Sequence, residues 1–140
     1  MKTQFCCVLV LSLFGLATLA EEAKIIVREI DIKGATGLEP GKVKVPKVIT
    51  TDAELAKAIT DAGVLAEVRK AVDFEKEKLV LFAWQGSGRD ELTHTMEKGD
   101  KSDKEIVTFH YLAGRTRDLR SHQKLFAFAK SADFVVSLAR

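Results

Sequence analysis

Two histidines and a methionine are the side chains of this sequence best suited to bind a soft metal ion. His94 and Met96 lie close together, and His110 follows after a charged loop. Imidazole and thioether groups are ligands of copper, and imidazole also binds zinc. The sequence therefore offers a copper or zinc site at His94, Met96 and His110, provided that the fold brings these three side chains together.

The segments around His94 and His110 are predicted to form a hairpin, and its register decides whether the histidines converge. Direct pairing of His94 with His110 mixes apolar and polar side chains on both faces. A shift by one residue separates them, and such separation fixes the register where one face is buried. We therefore expect a packed His94 and an exposed His110 on opposite faces. In this register Leu92, His94 and Met96 face Tyr111, Phe109 and Val107, while Thr93 and Thr95 face His110 and Thr108.

Ser87 stands between two glycines, an arrangement that invites comparison with a serine nucleophile. A hydrolase would use Ser87 together with His122 or His94 as the general base. However, the segment Gln85-Gly86-Ser87-Gly88 lacks the spacing of the G-x-S-x-G elbow, and no helix pattern follows it. A loop in which the glycines adopt positive φ explains the same residues. A hydrolase based on Ser87 is the enzymatic alternative.

Residues 114–124 form the most basic segment, with four permanent positive charges and one histidine against a single aspartate. Arginine and hydroxyl side chains suit the recognition of phosphate, sulfate or carboxylate groups. The alternative is a solvated loop in which Asp118 pairs with one arginine. Nucleic acid is not the expected partner, because no aromatic residues are interleaved with these arginines. The candidate ligand-binding residues are Arg115, Arg117, Arg120, His122 and Lys124.

Residues 1–20 have the three regions of a cleavable secretory signal peptide. Lys2 is followed by a nearly continuous apolar run from Phe5 to Leu16, and Ala17-Thr18-Leu19-Ala20 has small residues at the −3 and −1 positions. The run is shorter than a bilayer-spanning helix requires, and no basic cluster follows it. We predict export to the periplasm or the extracellular space, with cleavage after Ala20 and no membrane association afterwards.

Cleavage would leave residues 21–140, a length that suits one domain. It would also remove Cys6 and Cys7, the only two cysteines, so disulfides and thiolate chemistry are excluded from the mature chain. The whole sequence has 22 basic and 20 acidic residues. Because these charges nearly balance, electrostatic binding must depend on a local patch. The sequence predicts no cofactor and leaves the oligomeric state open.

The apolar pattern predicts an α+β fold: a mainly antiparallel β-sheet of about six to seven strands, with one or two short helices packed on it. Thr51 and Glu54 form a capping box that begins a helix, Gly63 is its expected end, and a second short helix follows. Gly41 is expected at positive φ in a type II turn. Strands are predicted at 24–33, 42–45, 79–84, 91–97, 105–112, 125–129 and 134–138, with 79–84 central because both of its faces are apolar.

The segment from Val72 to Trp84, followed by Gly86-Ser87-Gly88, resembles small exported bacterial proteins. More distantly, it is similar to the C-terminal domain of PrcB-like proteins, in which an Asp-Phe pair precedes a central strand and a glycine-bearing turn. The resemblance covers roughly residues 50–130. That family is associated with stabilisation of a protease complex, so the resemblance implies a small β-rich module without catalysis and assigns no site residue. The favoured function is an exported binding or accessory module for a protein or an anionic ligand.

Overall fold

The computed structural model describes residues 26–98 and 104–139, which form seven strands and two helices. The predicted signal peptide and both cysteines lie outside the described residues. The predicted α+β class, mainly β with two short helices, is confirmed. The elements are β1 (Arg28–Ile30), β2 (Lys47–Ile49), α1 (Asp52–Ala58), α2 (Ala62–Ala71), β3 (Glu77–Ser87), β4 (Glu91–Lys98), β5 (Glu105–Leu112), β6 (Leu119–Ala129) and β7 (Asp133–Ala139).

The described strands form two sheets instead of the one sheet expected. The larger sheet has the order β1-β6-β3-β2 and is antiparallel throughout, and the smaller sheet has the order β4-β5-β7. Within the smaller sheet, β5 pairs with β4 in antiparallel fashion but with β7 in parallel. After β5 the chain passes to the larger sheet, where it forms β6. It then returns to the smaller sheet as β7, which runs in the same direction as β5.

Strands β3 and β6 lie at the centre because both of their faces are apolar. Successive side chains of a strand point to opposite faces, so Leu79 and Leu81 pack toward the helices while Val80 and Phe82 pack toward the smaller sheet. The prediction that 79–84 is a central strand is confirmed, since β3 pairs with β6 on one side and β2 on the other. The buried residues therefore form two apolar cores. One lies between the helices and the larger sheet, and the other lies between the two sheets.

The helices cover the outer face of the larger sheet, with Leu55 and Val68 fully buried beneath them. Thr51 caps α1 as predicted, because its hydroxyl accepts the amide of Glu54 at 3.3 Å. The prediction that Gly63 ends this helix is wrong. Helix α1 ends at Ala58, and Gly63 lies in the first turn of α2, where its amide donates to the side chain of the N-cap Asp61 at 3.0 Å.

The N-terminal strands are shorter than predicted. Residues 42–45 form a turn closed by the bond from the Val45 amide to the Lys42 carbonyl, so the strand predicted there is wrong. Strand β2 begins only after Pro46 and pairs with residues 79–81 of β3. Gly41 does not have the positive φ expected of it; among the described residues that conformation occurs at Gly34 and Gly37.

Two boundaries differ from the sequence prediction in a way that determines the site. Strand β3 continues through Ser87, where a loop was expected from Gln85 onward, and β6 begins at Leu119 instead of Leu125. These extensions pair with each other, with Ser87 opposite Leu119 and Trp84 opposite His122. The basic segment 114–124 is therefore partly a loop and partly the first half of a central strand.

Candidate functional site

Two connections meet at one end of the larger sheet: residues 88–90, between β3 and β4, and residues 113–118, between β5 and β6. Asp90 joins them. Its Oδ2 accepts the indole N–H of Trp84 at 3.0 Å and the hydroxyl of Tyr111 at 2.7 Å, and its Oδ1 accepts the amide of Gly114 at 2.8 Å. A single half-buried carboxylate thus ties β3, the end of β5 and the connection after β5 together.

The ionisation of this cluster follows from its contacts. Burial alone would raise the pKa of Asp90, but the hydrogen bonds from Tyr111, Gly114 and Trp84 outweigh it and hold the pKa below its usual value. Burial, with the hydrogen bond to Asp90, raises the pKa of Tyr111 to about 12. At neutral pH an ionised carboxylate is therefore held by neutral donors, and its hydrogen bonds hold the two connections together.

Ser87 is the second link between the connections. Its Oγ accepts the backbone amides of Thr116 at 3.0 Å and Arg89 at 3.4 Å, and its hydroxyl is also hydrogen-bonded to the hydroxyl of Thr116. His122 donates from Nε2 to the carbonyl oxygen of Ser87 at 2.7 Å, so it contacts the backbone and not the Oγ. These contacts give Ser87 a role in joining loops, and none of them favours the hydrolase alternative, which stays a prediction.

Close approach, and not positive φ, explains the glycines of this region. A Cβ on Gly86 would overlap the Asp90 carboxylate, and a Cβ on Gly114 would lie 2.6 Å from the carbonyl carbon of Arg89. Neither glycine has positive φ. The expectation of positive φ at Gly86 and Gly88, the glycines that flank Ser87, is therefore wrong. A Cβ on either would instead overlap a neighbouring carboxylate, that of Asp90 or Asp118.

Three of the five predicted ligand-binding residues are committed to contacts within the protein. The Nε of Arg120 lies 2.7 Å from Asp118, as the solvated-loop alternative anticipated for one arginine. Lys124 pairs with Glu29 at 3.2 Å. The ring of His122 stacks on Trp84, with centroids 4.9 Å apart and planes 14° apart.

Asp118 extends the link between the connections. Its Oδ1 accepts the amide of Gly88 at 3.2 Å while its Oδ2 holds Arg120. A hydrogen bond from Thr116 and the amide of Gly88 lower the pKa of Asp118, and the charge of Arg120 adds to this. The charge of Arg120 is therefore partly neutralised by Asp118, although its side chain stays 68% exposed.

Arg115 and Arg117 remain exposed and have no ion-pair partner among the described residues. The structure adds Arg89, which is likewise exposed and, within the described chain, without an acidic partner. Its backbone touches Gly114, the neighbour of Arg115, and its amide shares the Oγ of Ser87 with Thr116. We call Arg89, Arg115 and Arg117 the basic cluster. Arg89 was missed because only the crossing of two connections brings it beside the basic segment.

The predicted hairpin register is confirmed: His94 pairs with Phe109, and His110 pairs with Thr93. The two histidines therefore lie on opposite faces, as predicted. Among residues 26–98 and 104–139 no group of three or more histidine, cysteine, aspartate or glutamate side chains is arranged to hold a metal ion. The copper or zinc alternative at His94, Met96 and His110 gains no support from these positions and stays a prediction.

The exposures of the two histidines are the reverse of those expected. His94 is exposed although its ring lies 5.5 Å from that of Phe126, because β4 is an edge strand and the inner side chain sits at the margin of the core. His110 is partly buried and its Nε2 is 2.8 Å from the hydroxyl of Thr95. Its central strand places it between neighbours on both sides.

Comparison with known proteins adds no assignment. No protein-family model, curated protein or solved structure matches this chain. The resemblance to PrcB-like proteins therefore stays a prediction. None of the helices in the described part of the chain is both long and apolar enough to cross a membrane.

Proposed function

We propose that this protein is an exported, non-enzymatic binding module that recognises the anionic oxygens of a partner through the basic cluster. The observation that supports the proposal is the placement of three exposed guanidinium groups on two connections in direct contact. Arginine binds carboxylate, phosphate and sulfate oxygens in bidentate fashion and keeps its charge at any physiological pH. Arg120, already held by Asp118, borders the cluster and is a weaker contributor.

Rigidity of the platform also supports binding. Asp90, Ser87 and Asp118 fix the two connections by hydrogen bonds to Gly114, Thr116 and Gly88, respectively. A surface that is ordered before binding loses less entropy when a ligand arrives. The remainder of the chain is nearly neutral, so the cluster supplies a localised field instead of general affinity for polyanions.

The purified protein is titrated with two probes, inorganic phosphate and a glutamate-rich peptide, and binding is measured by backbone amide NMR. We expect shifts confined to residues 88–90 and 114–118, with affinity falling as salt is added because exposed charges are screened. Replacement of both loop arginines, Arg115→Gln with Arg117→Gln, should weaken binding by roughly tenfold or more.

A matched control removes the same charge elsewhere: Lys57→Gln with Lys70→Gln, on α1 and α2. This control should leave affinity nearly unchanged. The proposal would be overturned if neither probe moved the amides of the two connections, or if the arginine pair and the lysine pair weakened binding equally. Equal weakening would mean that net charge, and not the basic cluster, attracts the probes.

A further inference from the structure

The strands at the edges of the two sheets differ in how they avoid unwanted pairing. An edge strand exposes unpaired N–H and C=O groups, and proteins usually protect it by making it short or by placing charges on it. In the larger sheet, the edge strands β1 and β2 have only 3 residues each. In the smaller sheet, β4 is long but carries Glu91 and Glu97.

Strand β7 has neither protection. It has 7 residues, forms the other edge of the smaller sheet in the described chain, and has one charged residue, Asp133, at its beginning. The segment 134–139 is uncharged. Val135 is 50% exposed and Leu138 is 39% exposed, so apolar side chains remain at the surface on both faces of this strand. Of the four edges in the described part of the chain, β7 alone offers a long strand without charge beyond its first residue.

We infer that β7 pairs in antiparallel fashion with β7 of a second copy of this chain, joining the two smaller sheets into one continuous sheet. Antiparallel pairing keeps the faces of both sheets aligned when paired positions share the same parity. Pairing centred on Val136 places Phe134 opposite Leu138 of the second copy, and Val135 opposite Ser137 of the second copy. Leu138 then packs against an aromatic ring instead of solvent.

Like-charge repulsion is absent when β7 pairs with β7 of a second copy, but it is present when β4 pairs with itself in the equivalent way. When β7 pairs with itself about Val136, Asp133 faces Ala139 of the second copy, so no like charges meet. When β4 pairs with itself about His94, Glu91 faces Glu97 of the second copy, and like charges directly opposite each other are destabilising. A two-fold contact through β7 also closes, so it yields a dimer and not a fibre.

The experiment measures the mass of the purified protein by light scattering across micromolar to near-millimolar concentrations. We expect a monomer–dimer equilibrium, and Val135→Lys should raise the dissociation constant roughly tenfold or more by placing a charge beside its counterpart in the paired strand. Thr93→Lys adds the same charge to the outer face of the β4 edge and should leave the dimer intact. Circular dichroism of each variant verifies that it is folded.

Hydrogen exchange of the unmodified protein provides a second measurement that needs no variant. Amides of β7 should become more protected as protein concentration rises, while amides of β4 should not change. The inference would be overturned by a monomer at every concentration, by a dimer that Val135→Lys leaves intact, or by a dimer that Thr93→Lys disrupts. Protection of β7 only after addition of a foreign extended peptide would likewise replace the second copy with another partner.

Discussion

Trp84 and Tyr111 donate hydrogen bonds to the same carboxylate oxygen of Asp90, and they are the only tryptophan and the only tyrosine of the chain. Their rings meet edge to face, with centroids 6.0 Å apart. Trp84 belongs to the larger sheet and Tyr111 to the smaller one, so Asp90 connects the two sheets at the end that carries the basic cluster. Because tryptophan and tyrosine each occur once, indole fluorescence and phenol absorbance report directly on this contact.

Asp90→Asn should destabilise the protein by about 2 kcal/mol, because bonds to a charged acceptor become weaker neutral ones and the amide group introduces donors without partners. Glu91→Gln is the matched control: it removes the same charge one residue away, from an exposed side chain. Urea unfolding followed by Trp84 fluorescence measures both variants. Equal stability of Asp90→Asn and the unmodified protein would show that the carboxylate does not hold the two connections.

Acid should release the same contact. The folded pKa of Asp90 lies below the ordinary aspartate value of 3.8, so its stabilisation is complete above that pH and is lost as pH falls through the folded pKa. The stability of Asp90→Asn should therefore depend less steeply on pH in this acidic range than that of Glu91→Gln. A difference between the two profiles that grows with acidity would contradict this assignment.

Tyr111 gives a prediction at the alkaline end. Its folded pKa of about 12 exceeds the ordinary tyrosine value of 10.0, so the neutral phenol stabilises the fold fully below pH 10, and this stabilisation is lost as pH rises toward 12. Tyrosinate absorbance comes from this residue alone and should appear only near the alkaline end of the titration. Tyr111→Phe should lose less stability between pH 10 and 12. Titration near pH 10 in a folded protein would contradict the hydrogen bond to Asp90.

Local pattern predicted the parts of the fold that depend on two neighbouring strands. The register of β4 on β5 was accessible because His94 and Met96 alternate with threonines, and one pairing alone gathers the apolar side chains. The helix cap at Thr51 was also predictable from local sequence, since a hydroxyl and a carboxylate three residues apart define it. The division into two sheets could not be predicted, because the placement of β6 in one sheet and of β5 and β7 in the other depends on pairings between distant segments.

The candidate site was only partly predictable, because its residues act through contacts between distant segments. Arg115 and Arg117 stood out as part of a charge run, but nothing local distinguished them from Arg120, whose charge Asp118 holds. Arg89 carried no signal, since it reaches the basic segment through the packing of Gly114 on its backbone. Asp90 was likewise an ordinary turn aspartate until the fold supplied its three donors.

Gly114→Ala tests how closely the two connections must approach. The new methyl group would lie 2.6 Å from the Arg89 carbonyl carbon and 2.6 Å from the Ser87 Oγ, so the backbone must move. This movement strains the hydrogen bond from the Gly114 amide to Asp90. We expect a loss of about 1 to 3 kcal/mol in unfolding free energy. Amide shifts of residues 88–90 should change with it, and affinity for the anionic probes should fall as the platform loosens.

Gly41→Ala is the control for this change. Gly41 does not have positive φ, and its nearest neighbour to a new Cβ is the Ala83 carbonyl oxygen at an ordinary 3.8 Å. Alanine there should be neutral or stabilising by up to about 1 kcal/mol, because it restricts the unfolded chain without a clash. If Gly114→Ala and Gly41→Ala changed the urea midpoint by similar amounts, the connections would not need the close contact at Gly114. The basic cluster would then lack its rigid support.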